Sequence, residues 1–546
     1  MPNVFGIPLI GFIQMVLGTG IIVFLLIKFL TRPKKNKKGE YLINDVHIIV
    51  GDGTEKEHQY VYIKDGKIME LSDQPIEKKN VQIIYGEDKT LMPSLIDSHI
   101  HIQGGFKCHS EEESDVFLNE EMPRIFSEGV LPYGITTIKD LDAPKHFIYK
   151  LRDKLRSGEI TGPELLIVGP NFTTPDGHPA NTLGTGSEWA RTEMAITVTT
   201  PEEVSDGIRE LKEAGVDFLK FTYQGGDFWY FDNKIQIQKL DKELMKQIIR
   251  EGKENGLKST AHVFYYDDVW ELLEAGIYGI EHGILDRDIE PDDPIIELWK
   301  RSGAHFVPTI NAMTYEKEPT RMAHSVHNLK VLFDAGIPIA MGTDNMFETM
   351  AGNVEHKELE YYVEAGLTPM QAIMLATKNG AEHLGIADRK GQVKVGMEAD
   401  LILLDKNPAE NISTFLRSTA YSAKARSFTP KRRFNPMTFP ISRSPRISKQ
   451  RSILIPTPTK AVSSMSSASR ARASLHRRLC ATAKLGCRRS LRSKRACRRS
   501  SGIIPVRPTT ASLLPTEKTE RSISRALSRA RNRTRPIRSA RACGSK

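Results

Sequence analysis

The sequence predicts an α/β protein built on an eight-stranded parallel (β/α) barrel of the TIM type, with a small flanking β-sandwich domain. Three observations carry that prediction. Short apolar runs alternate with helical patterns over residues 93–386, a pair of histidines ends the first run, and turn-punctuated alternating strands lie on both sides.

The alternation is clearest in GITTIKD, ELLIVG, VDFLKFTY, LKSTAHVF, GIEHG, AHFVPTI and IPIAMGTD. A barrel of this kind needs about 250 residues, which the span supplies. A doubly wound sheet would want a Gly-rich phosphate turn after its first strand, and the sequence has none there. Residues 40–92 read as short strands broken by turns such as Asp65-Gly66, and GQVKVGMEADLILLDKNP has the same look. Residues 40–92 and 387–415 are therefore expected to form one composite β-domain around the barrel's ends.

An uncharged run of 24 residues, Val4 to Ile27, precedes Lys28, Arg32, Lys34, Lys35, Lys37 and Lys38. Roughly 20 apolar residues span a bilayer core as a helix. The run lacks the basic start and small-residue cleavage site of a signal peptide. The expectation is a single-pass transmembrane anchor over 4–30, meeting the membrane through 4–27. The basic excess after it would put the catalytic body on the cytoplasmic side.

The formal charge of +10 averages two unlike parts. Residues 416–546 hold 34 Lys or Arg and two acids, a net of +32, whereas 1–415 holds 43 basic and 65 acidic residues, a net of −22. The tail is rich in Arg and Ser without any apolar period, so it is expected to be disordered. Its charge would attract polyphosphate or a membrane surface without specificity. A nucleic-acid- or membrane-binding protein working through this tail is thus the rival reading of another class. The scarcity of aromatics beyond Phe439 argues against nucleic acid as a partner. Cys108 alone lies in the body, so an internal disulfide there is excluded.

The chemistry-bearing motif is Pro93-Ser-Leu-Ile-Asp-Ser-His99-Ile-His101. On a strand, residues i and i+2 share a face, so both imidazoles can grip one divalent ion. An isolated His-x-His is weak, but Lys220 in VDFLKFTY, His262 in STAHVF, His282 in GIEHG and Asp344 in MGTDN follow in order. Each falls near the end of an apolar run, where a barrel builds its active site.

This set resembles the amidohydrolase superfamily, in the branch of imidazolonepropionase-related enzymes and Xaa-Pro dipeptidases. Ser94 stands where that family usually has Gly, and the likeness covers roughly 40–414. The resemblance implies two divalent ions, zinc being the expected metal. His99, His101 and Asp344 would hold one, His262 and His282 the other, and a CO2-derived carbamate on Lys220 would bridge them. It implies hydrolysis of an amide or peptide C–N bond by a metal-bridging hydroxide, with Asp344 as general acid/base. The substrate class would be an Xaa-Pro dipeptide or an N-acyl amino acid, with a lactone or phosphotriester as the alternative on the same site. His178, in a GGH-like run, and Tyr223, three residues after Lys220, are further catalytic candidates. His305, His324, His327, His356 and His383 match no motif position and read as structural or solvent-facing. The family follows a run like ADLILLDKNPAENI with a β-hairpin, whereas this chain continues FLRSTAYSAKARSF. A change of reading frame near residue 416 would account for both the lost alternation and the basic tail.

Overall fold

A computed structural model describes residues 3–4, 7–8, 39–102, 108–182, 187–230, 233–314, 318–346, 353–417 and 421–422. The first barrel strand, Leu95–His101, pairs in parallel with Ile135–Asp140, which pairs with Glu164–Ile167. The third position breaks and resumes as Asn171–Thr173, which pairs with Phe218–Thr222. Lys258–Val263, Gly279–His282 and His305–Val307 follow in sequence order, all parallel. A bridge from Phe306 to Ile339 brings in the eighth position. Asn345–Met346 then pairs with Ile100 and His101, so the sheet closes on itself.

Local chemistry explains the helices between. Thr200 opens Pro201–Glu213 with a capping box to Glu203, and Pro201 occupies the first turn, where a missing N–H costs nothing. Asp241 caps Lys242–Glu254, whose Leu244, Met245, Ile248, Ile249 and Gly252 lie on one buried stripe. After the fourth strand the hairpin Gly226–Tyr230 with Asn233–Ile237 stands over the barrel mouth.

The flanking sheet joins both ends of the body. Glu40–Ile49 pairs with Glu55–Lys64, with Gln82–Tyr85 and with Thr90–Pro93, and Leu401–Leu404 adds to the last of these. Tyr421–Ser422 pairs outside Leu401–Leu404. Alternation gives that strand two jobs. Leu401 and Leu403 pack with Ile43, Val61 and Leu91 in the sheet's own core, while Ile402 and Leu404 join the barrel's core. Each such fully buried aliphatic chain is worth about 1.5–3 kcal/mol.

The membrane anchor is corrected. Among the described residues no helix is long and apolar enough to cross a membrane. Within the uncharged run, Val4 belongs to the strand Asn3–Val4, which pairs antiparallel with Ile7–Pro8 rather than starting a helix. Pro8 explains this locally: it disfavours the helical conformation of Ile7 and lacks an N–H to donate. The rest of 4–27 lies outside the described residues, as does the basic tail beyond residue 422. The membrane-anchored, cytoplasm-facing localisation falls with the anchor.

One buried acid should show in the pH dependence of stability. Glu358 accepts hydrogen bonds from the Ile310 and Asn311 amides at 2.8 and 2.7 Å, yet burial pushes its carboxyl up to about 8. The folded state therefore holds a proton that the unfolded state has released. This group's contribution to stability declines from the ordinary Glu range, about pH 4.5, up to about pH 8. Thermal unfolding of Glu358→Gln across pH 4–9 should show a flatter decline than the native protein between those limits.

Candidate metal centre

At the carboxyl end of the barrel, three side chains meet from its first and last positions. His101 Nε2 lies 3.0 Å and His99 Nε2 3.5 Å from Asp344 Oδ1. The ligand atoms of His99, His101 and Asp344 all fall within 4.8 Å of one another. Burial would raise the Asp344 carboxyl, but the hydrogen bond from His101 and the closeness of both imidazoles override it and hold it well below the carboxylate range.

The histidines of the fifth and sixth strands stand beside this group. The His262 and His282 rings are 4.6 Å apart between centroids, and His282 is 4.9 Å from His99. His262 Nε2 donates to Gln224 Oε1 at 2.7 Å, which leaves Nδ1 with its lone pair. His282 Nδ1 bonds Thr309 Oγ1 at 2.7 Å, leaving Nε2 for a ligand. Burial keeps both rings neutral, their pKa values well below the ordinary imidazole range. Lys220 is buried in the fourth strand, and the same effect lowers its amine to about 8.

The backbone is shaped around these groups. His282 and Asp344 both sit in the left-handed region, at φ 67° and 55°. Such non-glycine conformations cost on the order of 1–3 kcal/mol each and persist only where packing enforces them. Gly342 allows the last strand to press against the first. A Cβ there would meet Val307 Cγ1 at 2.4 Å and His99 Cβ at 2.6 Å.

The residues fit divalent metal. His99 Nδ1 is taken by Glu281, and its Nε2 is buried without a hydrogen-bond partner. A bare lone pair in that position is costly unless a cation or a donor faces it. Two imidazoles and a carboxylate form a donor set suited to zinc and similar ions.

His178 joins the site. Its ring stacks on Phe228 at 4.7 Å and lies 5.1 Å from His262. Burial lowers its pKa to about 3, so it is a neutral donor or acceptor. Tyr223 does not join, which corrects its candidate role. Its hydroxyl bonds Glu271 on the helix Tyr266–Glu274 at 2.5 Å, and Lys239 Nζ sits 4.3 Å over its ring. Lys220 and Thr222 share the inward face of their strand, so residue 223 points away from it.

Several residues at the site escaped the sequence reading. Glu281 bonds His99, and Lys139 bonds both Glu281 and His383, all inside the barrel. Acid beside ligand in GIEHG, and a lysine within the apolar run of GITTIKD, were the available signals. Asp142, just past the second strand, is buried with neither carboxylate oxygen hydrogen-bonded, and burial lifts its carboxyl well above the usual range. Phe228 and Phe264 wall the site, Phe264 lying 4.7 Å from His262 and 5.4 Å from His282.

The model of the Amidohydrolase family matches residues 90–433. The chain belongs to that family. It is an amidohydrolase-type enzyme, and its relatives agree. Ochratoxinase from Aspergillus niger is 26% identical over 404 residues, covering 67% of this chain and 82% of the relative. Imidazolonepropionase from Caldanaerobacter subterraneus is 21% identical over 398 residues, covering 65% and 87%. Among solved structures, a Xaa-Pro dipeptidase with methionine bound in its active site superposes with a TM-score of 0.58 at 23% identity, covering 70% of this chain and all of that one.

Gly342→Ala tests the close packing. The added methyl must displace His99 or Val307, so the variant should lose about 1–3 kcal/mol of stability, in the range of core overpacking. Chemical denaturation together with metal analysis should show both lower stability and reduced metal content.

Proposed function

We propose that this amidohydrolase-family enzyme hydrolyses an amide or peptide C–N bond in a small substrate of the Xaa-Pro dipeptide or N-acyl amino acid class. The observation that carries the reading is the convergence of His99, His101 and Asp344, with His282 and His262 alongside, at the carboxyl end of a closed parallel barrel. Divalent ions bound there would polarise the scissile carbonyl and bring the pKa of water near neutrality. His99, His101 and Asp344 would hold one ion, and His262 and His282 the other. Lys220 would contribute as its carbamate, which needs the neutral amine that burial favours.

The remaining work falls to the chain's own groups. Asp344 is placed to take a proton from the attacking water and return it to the leaving nitrogen. Its hydrogen bonds keep it ionised and ready to accept. His178 would donate to the substrate carbonyl oxygen. Thr182 Oγ1 lies 2.6 Å from His178 Nδ1 and donates to the Pro179 carbonyl at 3.3 Å, which anchors the ring beside the site. Phe228 and Phe264 offer apolar walls, which suit a proline ring or an apolar acyl group. The structural neighbour named as a Xaa-Pro dipeptidase supports the dipeptide side of that class, and the relative named N-acetylglucosamine-6-phosphate deacetylase supports amide hydrolysis in general.

Two variants test this. Asp344→Asn keeps the side chain's size but removes the base, so kcat should fall by at least the roughly 10²–10⁴-fold of general acid–base catalysis, with a much smaller change in KM. Unchanged turnover would exclude Asp344 from the chemistry, and preferential cleavage of lactones or phosphotriesters in the same panel would reassign the substrate. Lys220→Ala should lose at least one of two bound ions when the protein is prepared with bicarbonate. Full metal content and activity in that variant would eliminate the carbamate.

A further inference from the structure

Below the metal centre, inside the barrel, lies a charged network that the proposed chemistry does not use. Glu281 sits one residue before His282, and its Oε2 accepts the Nδ1–H of His99 at 2.7 Å. Its Oε1 accepts from Thr260 Oγ1 at 2.5 Å and from Lys139 Nζ at 3.3 Å. Lys139 Nζ also donates to His383 Nε2 at 2.7 Å and lies 5.0 Å over the Phe218 ring. Glu281, Lys139, Thr260, His99 and His383 are all 0% exposed. The network draws on the first, second, fifth and sixth strands and on the helix Lys378–Leu384 after the barrel.

Elementary chemistry limits what this arrangement can be for. A buried ion pair is a weak source of stability, because desolvating two charges roughly cancels their attraction. An apolar filling would serve the fold equally well. The carboxylate can only accept, so it forces the proton of His99 onto Nδ1 and leaves Nε2 as a lone pair facing Asp344. An anion behind an imidazole also makes its free nitrogen a stronger donor to a metal. That anion needs a counter-charge where water is absent, and Lys139 supplies it.

We propose that Glu281 and Lys139 are positioning residues for the metal centre: Lys139 pairs with Glu281 inside the dry barrel, and Glu281 fixes the orientation and tautomer of His99. Neither touches the substrate or the reacting atoms. The inference rests on the metal reading of the site, and the experiment separates the two.

The metal-free full chain is titrated with Zn2+ in competition with a chromogenic chelator, and with Co2+ followed by visible absorption. Thermal unfolding of the metal-free protein is recorded in parallel. Glu281→Gln should weaken Zn2+ binding by roughly 10- to 100-fold, the range for loss of a partner behind a metal-bound histidine. It should also lower the metal-free unfolding temperature, because Lys139 is left as a buried unpaired cation. Lys139→Met should weaken binding in the same direction. The double variant Glu281→Gln/Lys139→Met is decisive. It removes both charges, so the metal-free unfolding temperature should recover, yet Zn2+ affinity should stay low and the Co2+ spectrum should stay altered. A purely structural role predicts that affinity recovers with the unfolding temperature, and that result would overturn the proposal. Native affinity in Glu281→Gln alone would overturn it too. If the native protein itself takes up no divalent ion, the metal reading of the site falls as well.

Discussion

The seam between the first and last barrel positions is the constraint on which the rest depends. Asp97 spans it. Its Oδ1 accepts from the His99 amide at 3.1 Å and the Thr343 amide at 3.2 Å, and its Oδ2 accepts from Thr343 Oγ1 at 2.6 Å. One side chain thus clips together two segments separated by 246 positions along the chain. Without that closure His99 and His101 stand at one sheet edge and Asp344 at another. With it, the Ser98 amide reaches the Met341 carbonyl, and both Thr343 and Asp344 donate backbone hydrogen bonds to the His99 carbonyl. Gly342 completes the seam by having no Cβ to hold the strands apart. The metal-ligand triad is therefore a property of barrel closure and of no local segment.

This explains which parts of the molecule were legible in the sequence. The His-x-His pair obeys period 2, and Asp97, His99 and His101 occupy one face as that period requires. The apolar runs marked the strands because parallel barrel strands are buried on both sides and lose the alternation of a surface strand. Period 2 would also have rejected Tyr223, since an odd offset from Lys220 turns it outward to Glu271. Glu281 and Lys139 were less accessible. Their partnership joins strands two and six across the barrel interior, and no spacing along the chain encodes a contact between residues 142 positions apart. At the amino terminus, hydropathy over a long window carried no sign that Asn3–Val4 pairs with Ile7–Pro8, where Pro8 disfavours a helical Ile7.

The interior of this barrel is unusually polar for a region that apolar packing must stabilise. Outside the strands, Trp299, Phe147, Phe172 and Phe306 pack with aliphatic chains into a continuous core. Inside, Lys139, Lys220, Asp97, Asp140, Asp142, Glu281 and three site histidines, His99, His262 and His282, are removed from water. Burial raises the acids Asp97 and Asp140 to about 7 and about 6, so the interior resists ionisation wherever no counter-charge is supplied. Glu281 and Asp344 are the exceptions; for Glu281 the partner is a buried lysine. Burial opposes its charge as well, but Lys139 and His99 hold it well below the ordinary range. Of the two carboxylates held ionised here, one is a candidate ligand and the other sits directly behind a candidate ligand.

Polar groups without partners cluster in the same place. His99 Nε2, Gln224 Nε2 and both oxygens of Asp142 lack hydrogen bonds, and His282 and Asp344 hold left-handed backbone conformations. Each unsatisfied buried group costs about 1–3 kcal/mol, and strained backbone of this kind costs a similar amount. Together these terms are comparable with the whole net stability of a typical domain, about 5–15 kcal/mol. Such a concentration is tolerable if the surrounding barrel over-determines the geometry and an ion recovers part of the deficit on binding. Free energy spent holding donors in place before the ion arrives then appears as tighter binding, because no reorganisation is left to oppose it. On this view the closed seam, the clipped strands and the anion behind His99 serve one end. They hold a metal site whose donors are set by the fold before any metal is present.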